Sequence, residues 1–219
     1  MKPKHIFTFF FSFLFILSFS QKKEDSLKAK SKYTPNFMVG FDVLNAGIGV
    51  LSDRKLFQGF VSSKITKNIH AVAEGGFEKN SYQKNGYDAF ANGPFLKLGA
   101  FYMLANDNEN ELNGFFAGGK LAGSYYTQKY NAVPVRGFGG IDTSIAFPSS
   151  SQSSYWIEGL IGGRVQLFET PLYIEVNVQP KYLVYSTTQE DLKPLIVPGF
   201  GKSSGKFNMG FSWNIAYRF

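Results

Sequence analysis

His70 and Glu74 are the residues whose types and spacing come nearest to a catalytic arrangement. They lie four positions apart in a segment of alternating apolar residues, so both side chains belong to one face of a predicted strand. A histidine paired with an acid can activate a serine, as it does in hydrolases and acyltransferases. His70 begins its strand beside a short turn, whereas a lipid-modifying site would face lipid or the long loops. We therefore expect His70 to pack inside the protein, and we predict no catalytic residue.

Two glycine-rich segments resemble nucleotide-binding motifs without completing them. Residues 114–120 nearly form a phosphate loop, but Leu121 stands where Ser or Thr would hold magnesium. Residues 199–205 begin a dinucleotide-like series in which Gly205 comes one position late, and neither segment has a strand-loop-helix context. The stretch Pro198–Lys202 could touch a ligand or lipopolysaccharide, although packing of the loop on the protein is the favoured interpretation.

The composition excludes several classes of site. The chain has no cysteine, which excludes disulfides, thiolate metal centres, a cysteine nucleophile and an acylated cysteine. His5 lies in the apolar N-terminal segment, and His70 with scattered carboxylates lacks the spacing of a metal site, so we predict no metal and no cofactor. The net charge of +7 is spread along the chain without a basic patch, and nucleic acid is not an expected partner.

The first residues predict export. Lys2 and Lys4 precede an apolar run that is too short for a membrane-spanning helix, and Ser18 and Ser20 place small residues where a signal peptidase cleaves. We predict a cleaved signal peptide over residues 1–20. Residues 21–35 are polar and lysine-rich, which predicts a flexible linker.

From residue 36 onward the apolar residues recur at every second position, which is the period of a strand. The clearest run is the last, where seven apolar residues alternate with polar ones from Phe207 to Phe219. Aromatic residues make up 17% of the chain, as suits strands that face lipid on one side. The eight predicted segments are residues 36–44, 56–65, 69–79, 95–104, 115–128, 155–168, 172–185 and 207–219.

Short and long links alternate between these segments. The short ones are residues 66–68, 105–113 and 169–171, and the long ones are 45–55, 80–94, 129–154 and 186–206. Bacterial outer-membrane barrels have this order, with short periplasmic turns and longer outer loops. The fold class predicted for residues 36–219 is therefore all-β, an eight-stranded antiparallel up-and-down transmembrane β-barrel.

The polar faces carry charges of both signs. In a barrel of eight strands the interior is just wide enough for side chains to fill it, and buried charges are tolerated when they are paired. We predict an ion-paired interior and no open pore. Aromatic residues near the strand ends predict interfacial girdles. The predicted interior charges are Asp42, Glu74, Lys97, Lys120, Glu158, Arg164, Glu175, Lys181 and Arg218. The predicted girdle residues are Tyr155, Tyr182, Trp213, Tyr217 and Phe219.

Four segments resemble an uncharacterised outer-membrane barrel family of the Bacteroidota: Val39–Asp42, Leu51–Lys55, Phe95–Gly99 and Pro198–Lys202. The resemblance covers about residues 33–219, and the family has no assigned function. The architecture is also similar to the small OmpA- and OmpX-like barrels. That likeness implies structural, adhesive or envelope-protective roles and supplies no catalytic residue.

We therefore expect a non-enzymatic, monomeric outer-membrane barrel for envelope integrity or surface contact, with outer-membrane lipid and lipopolysaccharide as partners. The final strand, ending in Phe219, is expected to contact the barrel-assembly machinery. The alternatives are a narrow channel or a binder of small hydrophobic ligands, and a lipid-modifying enzyme that uses His70. A soluble lipocalin-like barrel would have the opposite faces inside and outside, and periodicity alone does not decide between the two.

Overall fold

The computed structural model describes residues 36–107, 110–137 and 142–219. The predicted signal peptide and linker lie outside these residues and stay predictions. No helix in the described ranges is both long and apolar enough to cross a membrane. The elements in chain order are β1 (Phe37–Asp42), α1 (Val43–Leu51), β2 (Lys55–Lys64), β3 (Ile69–Lys84), β4 (Tyr87–Asn106), β5 (Gly114–Arg136), β6 (Asp142–Gln166), β7 (Leu172–Ser186), β8 (Ile196–Val197), β9 (Gly201–Lys202) and β10 (Phe207–Arg218).

Eight of the strands form a closed antiparallel barrel in the order β1-β10-β7-β6-β5-β4-β3-β2. Each strand pairs with its neighbours along the chain, and β1 closes the ring against β10. The strands β8 and β9 form a separate small sheet within the connection from β7 to β10. The predicted fold class is therefore confirmed in its strand number, its antiparallel order and its closure.

The apolar faces point outward and the polar faces point inward. Along β10, Phe211, Trp213 and Ile215 are about half exposed, whereas Ser212 and Asn214 between them are buried. The other strands follow the same alternation, and all five predicted girdle residues are exposed. This assignment of faces is the one that a barrel in lipid requires.

Two of the four predicted long links are instead extensions of hairpins. The strands β3 and β4 continue well past residues 79 and 95 and meet at Asn85 and Gly86. Both turn residues have positive φ, +55° and +80°, as the two-residue hairpin turn requires. The strands β5 and β6 likewise extend to Arg136 and from Asp142. The prediction of loops was therefore wrong for residues 80–84, 87–94, 129–136 and 142–154, which belong to strands. Their many polar side chains interrupt the alternating pattern that would have indicated a strand.

The first predicted segment also ends earlier than expected. The strand β1 stops at Asp42, whose carboxylate accepts a bond from the Asn45 backbone nitrogen and caps α1. Val43, predicted on the apolar face of the strand, is therefore the first residue of a helix. As a result the stretch of β2 before Gly59 and the stretch of β10 before Asn214 have no partner in β1.

The barrel has two unlike ends. We call the end with residues 65–68, 110–113 and 167–171 the turn end. The opposite end, which carries α1, the Asn85-Gly86 turn and residues 187–206, is the loop end.

Candidate functional site

The interior of the barrel contains a layer of ion-paired side chains between two apolar layers. Glu74 accepts bonds from the amines of Lys97 and Lys120, each at 2.6 Å. Glu158 lies 3.3 Å from the same two amines and 3.4 Å from that of Lys181. All five side chains are buried. We call these five residues the charged layer.

The strand register explains why these charges meet. Glu74 on β3 is directly opposite Lys97 on β4, and Lys120 on β5 is opposite Glu158 on β6. Glu158 is in turn opposite Lys181 on β7. Because inward positions alternate along each strand, one register brings all five groups to the same height in the barrel. The predicted ion-paired interior is confirmed for these residues.

The charged layer is held in place by aromatic neighbours. The indole nitrogen of Trp156 donates to Glu158 over 2.8 Å. The amine of Lys97 lies 5.2 Å from the ring centre of Phe95, within the range of a cation–π contact. Three lysines face two carboxylates in this layer, so it carries one excess positive charge. Burial makes the pairing indispensable, because an unpaired charge there has no water to solvate it.

The connection from β7 to β10 folds back into the loop end of the barrel. Residues 196–200 are buried, and they pack against wall residues of an apolar cluster that we call the upper layer. Phe200 meets Trp156 in an edge-to-face contact with ring centres 5.9 Å apart. The upper layer consists of Leu56, Ala91, Phe95, Ala122, Tyr126, Trp156, Ile196, Val197 and Phe200.

Polar bonds from the wall fix the inserted segment. The backbone nitrogen of Gly199 donates to Glu78 over 2.7 Å, and its carbonyl oxygen accepts from Lys181 over 2.7 Å. Gly199 has φ of +79°, and a Cβ there would lie 2.5 Å from the Phe95 ring. Residues 198–200 therefore pack inside the barrel, in agreement with the favoured interpretation of the stretch Pro198–Lys202. Lys202 remains exposed.

A second apolar cluster closes the turn end. Leu112, from the connection between β4 and β5, packs with Phe101, Phe116 and Tyr173. Beside this cluster Arg164 and Glu175 form a buried ion pair at 2.5 Å. An open cavity of about 370 Å³ lies at the rim of this end. It is lined by Asn36, Lys64, Asn110, Glu111, Leu112, Gln166 and Arg218.

His70 and Glu74 lie apart from each other in their contacts, and His70 packs inside the protein as expected. His70 is buried among the interior side chains at the turn end, with its ring stacked on Phe101 at 5.0 Å. Glu74 bonds Lys97 and Lys120 instead. Within the described ranges, no group of three or more His, Cys, Asp or Glu side chains could hold a metal ion.

The sequence correctly predicts that the charged residues lie on the polar faces of the strands. It did not predict α1 or the burial of residues 196–200. The signal for α1 was present, since Asp42 followed by Asn45 and an uncharged run is a helix start. No local signal marks the insertion of residues 196–200, which depends on contacts with distant strands.

These observations define a closed eight-stranded β-barrel whose interior is filled by ion-paired and aromatic side chains. The chain belongs to the DUF6048 family, described as a domain of unknown function, whose model matches residues 3–219. This agrees with the expectation of a family without an assigned function. The Bacteroidota source stays a prediction.

No curated protein matches the chain. Among solved structures, the N-terminal β-barrel domain of OprF from Pseudomonas aeruginosa is similar, with 10% identity and a TM-score of 0.36. The match covers 84% of this chain and 97% of that one. At this TM-score the likeness does not inform the function.

Proposed function

We propose that the protein is a non-enzymatic outer-membrane barrel, closed to ions, that contributes to envelope integrity or surface contact through its loop end. The observation that carries the proposal is the distribution of charge between the two faces of the wall. The charged layer lies inside, while the outward positions of the strands at the same height carry no Asp, Glu, Lys or Arg. In water this wide apolar surface would be exposed at a cost in free energy. In a membrane, lipid would cover it.

A soluble lipocalin-like barrel is disfavoured by the same distribution. Such a barrel buries apolar residues in a dry interior and exposes polar ones. Here Phe57, Leu98 and Ile161 are about half exposed, whereas Glu74 and Lys97 are buried. The uncharged outward stretch of β10 runs from Phe207 to Tyr217, and its length matches the hydrocarbon core once the tilt of a strand is included.

A conducting channel is disfavoured by the filled interior. The side chain of Lys97 is fully buried in the charged layer, and those of Phe116 and Tyr173 are fully buried in the cluster at the turn end. Residues 196–200 close the loop end, and Leu112 closes the turn end. An ion would have to break the charged layer to pass.

The partner chemistry that we propose at the loop end is a lipid phosphate, as in lipopolysaccharide. Lys55 and Lys79 lie directly opposite each other on β2 and β3, and both are exposed. They lie one outward position beyond Phe57 and Phe77 in the apolar belt. Like charges placed opposite each other repel, and an anion between them relieves the repulsion.

Membrane fractionation tests the proposal most simply. We expect the protein in the outer-membrane fraction and a mobility that changes when the sample is boiled before electrophoresis. Reconstitution into planar bilayers should give no stable large conductance. Recovery in the soluble periplasmic fraction would contradict the proposed location, and a stable open channel would contradict the closed interior.

A second candidate, a binder of hydrophobic ligands, is favoured by one observation. The upper layer is apolar and aromatic although it lies inside a largely polar barrel. A lipid-modifying enzyme has no comparable support, because His70 stacks on Phe101 in the interior, away from the lipid-facing surface.

A further inference from the structure

A second open cavity lies on the outer surface of the barrel, at the loop end. Its volume is about 450 Å³, which is within the size range of sites that bind small molecules. Its lining comes from β2, β3, β4 and the residues just before β2. We call it the rim cavity, and it is lined by Asp53, Lys55, Lys79, Ser81, Gln83 and Phe90.

The strand register fixes the height of the rim cavity. Lys55 and Lys79 are directly opposite each other, one outward position beyond Phe77 of the apolar belt. Ser81 is the next outward position on β3, and it is opposite Phe90 on β4. The cavity therefore begins where the apolar belt ends. In a membrane this is the height of the lipid headgroups.

The two amines of the rim cavity are held by uncharged groups. The Lys55 amine donates to the Gly49 carbonyl oxygen over 2.6 Å. The Lys79 amine lies 5.5 Å from the ring centre of Phe90, which is a cation–π contact. Within the part of the chain that the structure describes, neither amine forms an ion pair. Both can therefore bind an anion, in contrast to the paired lysines of the charged layer.

The lining changes from basic to hydrogen-bonding groups with distance from the apolar belt. Ser81 and Gln83 follow Lys79 on the same face of β3, and both are exposed. At about 3.3 Å per residue, Gln83 is about 13 Å along the strand from Lys79. Asp88 is opposite Gln83 on β4, and a second carboxylate, that of Asp53, lines the cavity. Hydroxyl, amide and carboxylate groups can all bond the hydroxyl groups of a sugar.

The two carboxylates do not cancel the positive charge of this surface. Lys129 is opposite Phe90 on β5, and its side chain is exposed. Three lysines against Asp53 and Asp88 leave one excess positive charge. The surface therefore favours an anionic ligand whose charge lies beside the apolar belt and whose uncharged polar part extends outward.

We propose that the rim cavity binds the phosphorylated sugar headgroup of a glycolipid. The phosphate lies between the amines of Lys55 and Lys79, and the sugar extends outward along Ser81 and Gln83. Phe90 provides the apolar side of the cavity, against which the carbon atoms of a sugar ring pack. The inference rests on the proposed insertion into the outer membrane. It specifies the headgroup and the residues for the lipid-phosphate contact proposed above.

Other phosphate ligands use only part of this arrangement. The phosphate of a phospholipid would reach the two amines, but its headgroup has no sugar to contact the surface from Ser81 to Gln83. Inorganic phosphate would likewise contact the lysines alone. The contribution of the polar lining therefore distinguishes a glycolipid from either of these ligands.

Binding is measured by native mass spectrometry on the purified, folded protein in neutral detergent. The probes are lipid A with its phosphate groups, the same lipid A after phosphatase treatment, phosphatidylglycerol and inorganic phosphate. Lys79→Gln is the test variant, because it removes one charge and leaves the bond from Lys55 to Gly49 in place. Lys202→Gln is the matched control, since Lys202 is also exposed and lies over an aromatic ring, 5.9 Å from the ring centre of Tyr82.

We expect phosphorylated lipid A to bind most tightly of the four probes. Lys79→Gln should weaken this binding by about tenfold or more, because it removes a hydrogen bond between charged groups. Lys202→Gln should bind like the unmodified chain. Gln83→Ala should weaken the binding of lipid A without changing that of inorganic phosphate, because its amide contacts the sugar.

Equal affinities of Lys79→Gln and Lys202→Gln for phosphorylated lipid A would overturn the proposal, as would no binding or equal binding before and after phosphatase treatment. If phosphatidylglycerol or inorganic phosphate bound as tightly as phosphorylated lipid A, the cavity would recognise phosphate alone, and the proposal would again be wrong. Heat-dependent mobility shows that each variant is folded. Because binding in detergent does not depend on the location of the protein in the cell, membrane fractionation reports a failure of the proposed function separately.

Discussion

The side chain of Asn45 donates a hydrogen bond to the main chain of Phe211 over 2.9 Å, and so joins α1 to β10 beyond the point where β1 has ended. Asn45 is itself positioned by Asp42, which accepts its backbone and side-chain nitrogens at 3.1 and 2.6 Å. The buried carboxylate of Asp42 therefore caps the helix and also orients the Asn45 side chain toward the Phe211 carbonyl.

Replacing Asn45 with Ala should loosen this closure. The Phe211 carbonyl would lose its partner, and an unsatisfied buried acceptor costs about 1–3 kcal/mol. We expect a lower midpoint in denaturant unfolding of the detergent-solubilised barrel. Asn68→Ala is the matched control, because Asn68 bonds Tyr102 on the exposed surface. An equal, small effect of both variants would mean that α1 does not stabilise the wall.

Glu158→Gln should destabilise the charged layer strongly. The substitution leaves three lysines facing Glu74 alone, and breaking a buried ion pair costs about 3–5 kcal/mol. Thermal unfolding in detergent measures the effect. In Glu111→Gln the exposed pair with Lys64 is lost, and we expect almost no change. The hydrogen bond from Lys64 lowers the pKa of the Glu111 carboxyl. If the two variants unfolded at the same temperature, the charged layer would contribute no more to the stability of the barrel than the exposed pair does.

Gly199→Ala should release the inserted segment from the barrel. The residue has positive φ, and the new methyl group would collide with the Phe95 ring. We expect faster cleavage by trypsin after Lys193 or Lys202 in the membrane-embedded protein. Gly205→Ala, which has open space around it, should be cleaved like the unmodified chain. Cleavage of Gly199→Ala at the control rate would show that residues 196–200 are not held by these contacts.

His70→Ala should leave the lipids of the envelope unchanged, because His70 stacks on Phe101 inside the barrel. Mass spectrometry of lipids from cells with either chain measures this. His70→Phe, which keeps an aromatic ring on Phe101, separates stability from chemistry. A lipid change in both variants at normal protein levels would revive the enzymatic hypothesis.

The sequence predicted the strand faces well because a strand has a strict period of two. Phe207–Phe219 could be assigned to one strand without any tertiary information, and Glu74, Lys97 and Glu158 fell on inward faces for the same reason. The hairpin at Asn85-Gly86 was also predictable, since Asn-Gly is the strongest short hairpin signal, but the polar flanks were taken for a loop.

Other features were either hidden by the alternating pattern or depend on contacts with distant strands. Phe41 and Val43 continue the alternation of β1, so periodicity predicts a strand where Asp42 instead caps a helix. Residues 196–200 look like an ordinary turn-rich loop, and their burial follows from the space left by Phe95, Trp156 and Lys181. Periodicity left open which face of each strand points outward, and the structure places the charged layer inside the closed wall.

The central claim is that the apolar face of each strand meets lipid and the polar face is enclosed. Single cysteines in the cysteine-free chain, placed at Met209, Phe211, Trp213 and Ile215 and at Gly210, Ser212, Asn214 and Ala216, can carry nitroxide labels in vesicles. We expect labels at the first four positions to collide with oxygen dissolved in lipid and labels at the second four not to do so. The opposite pattern, or eight labels that all collide with a water-soluble nickel complex, would contradict it.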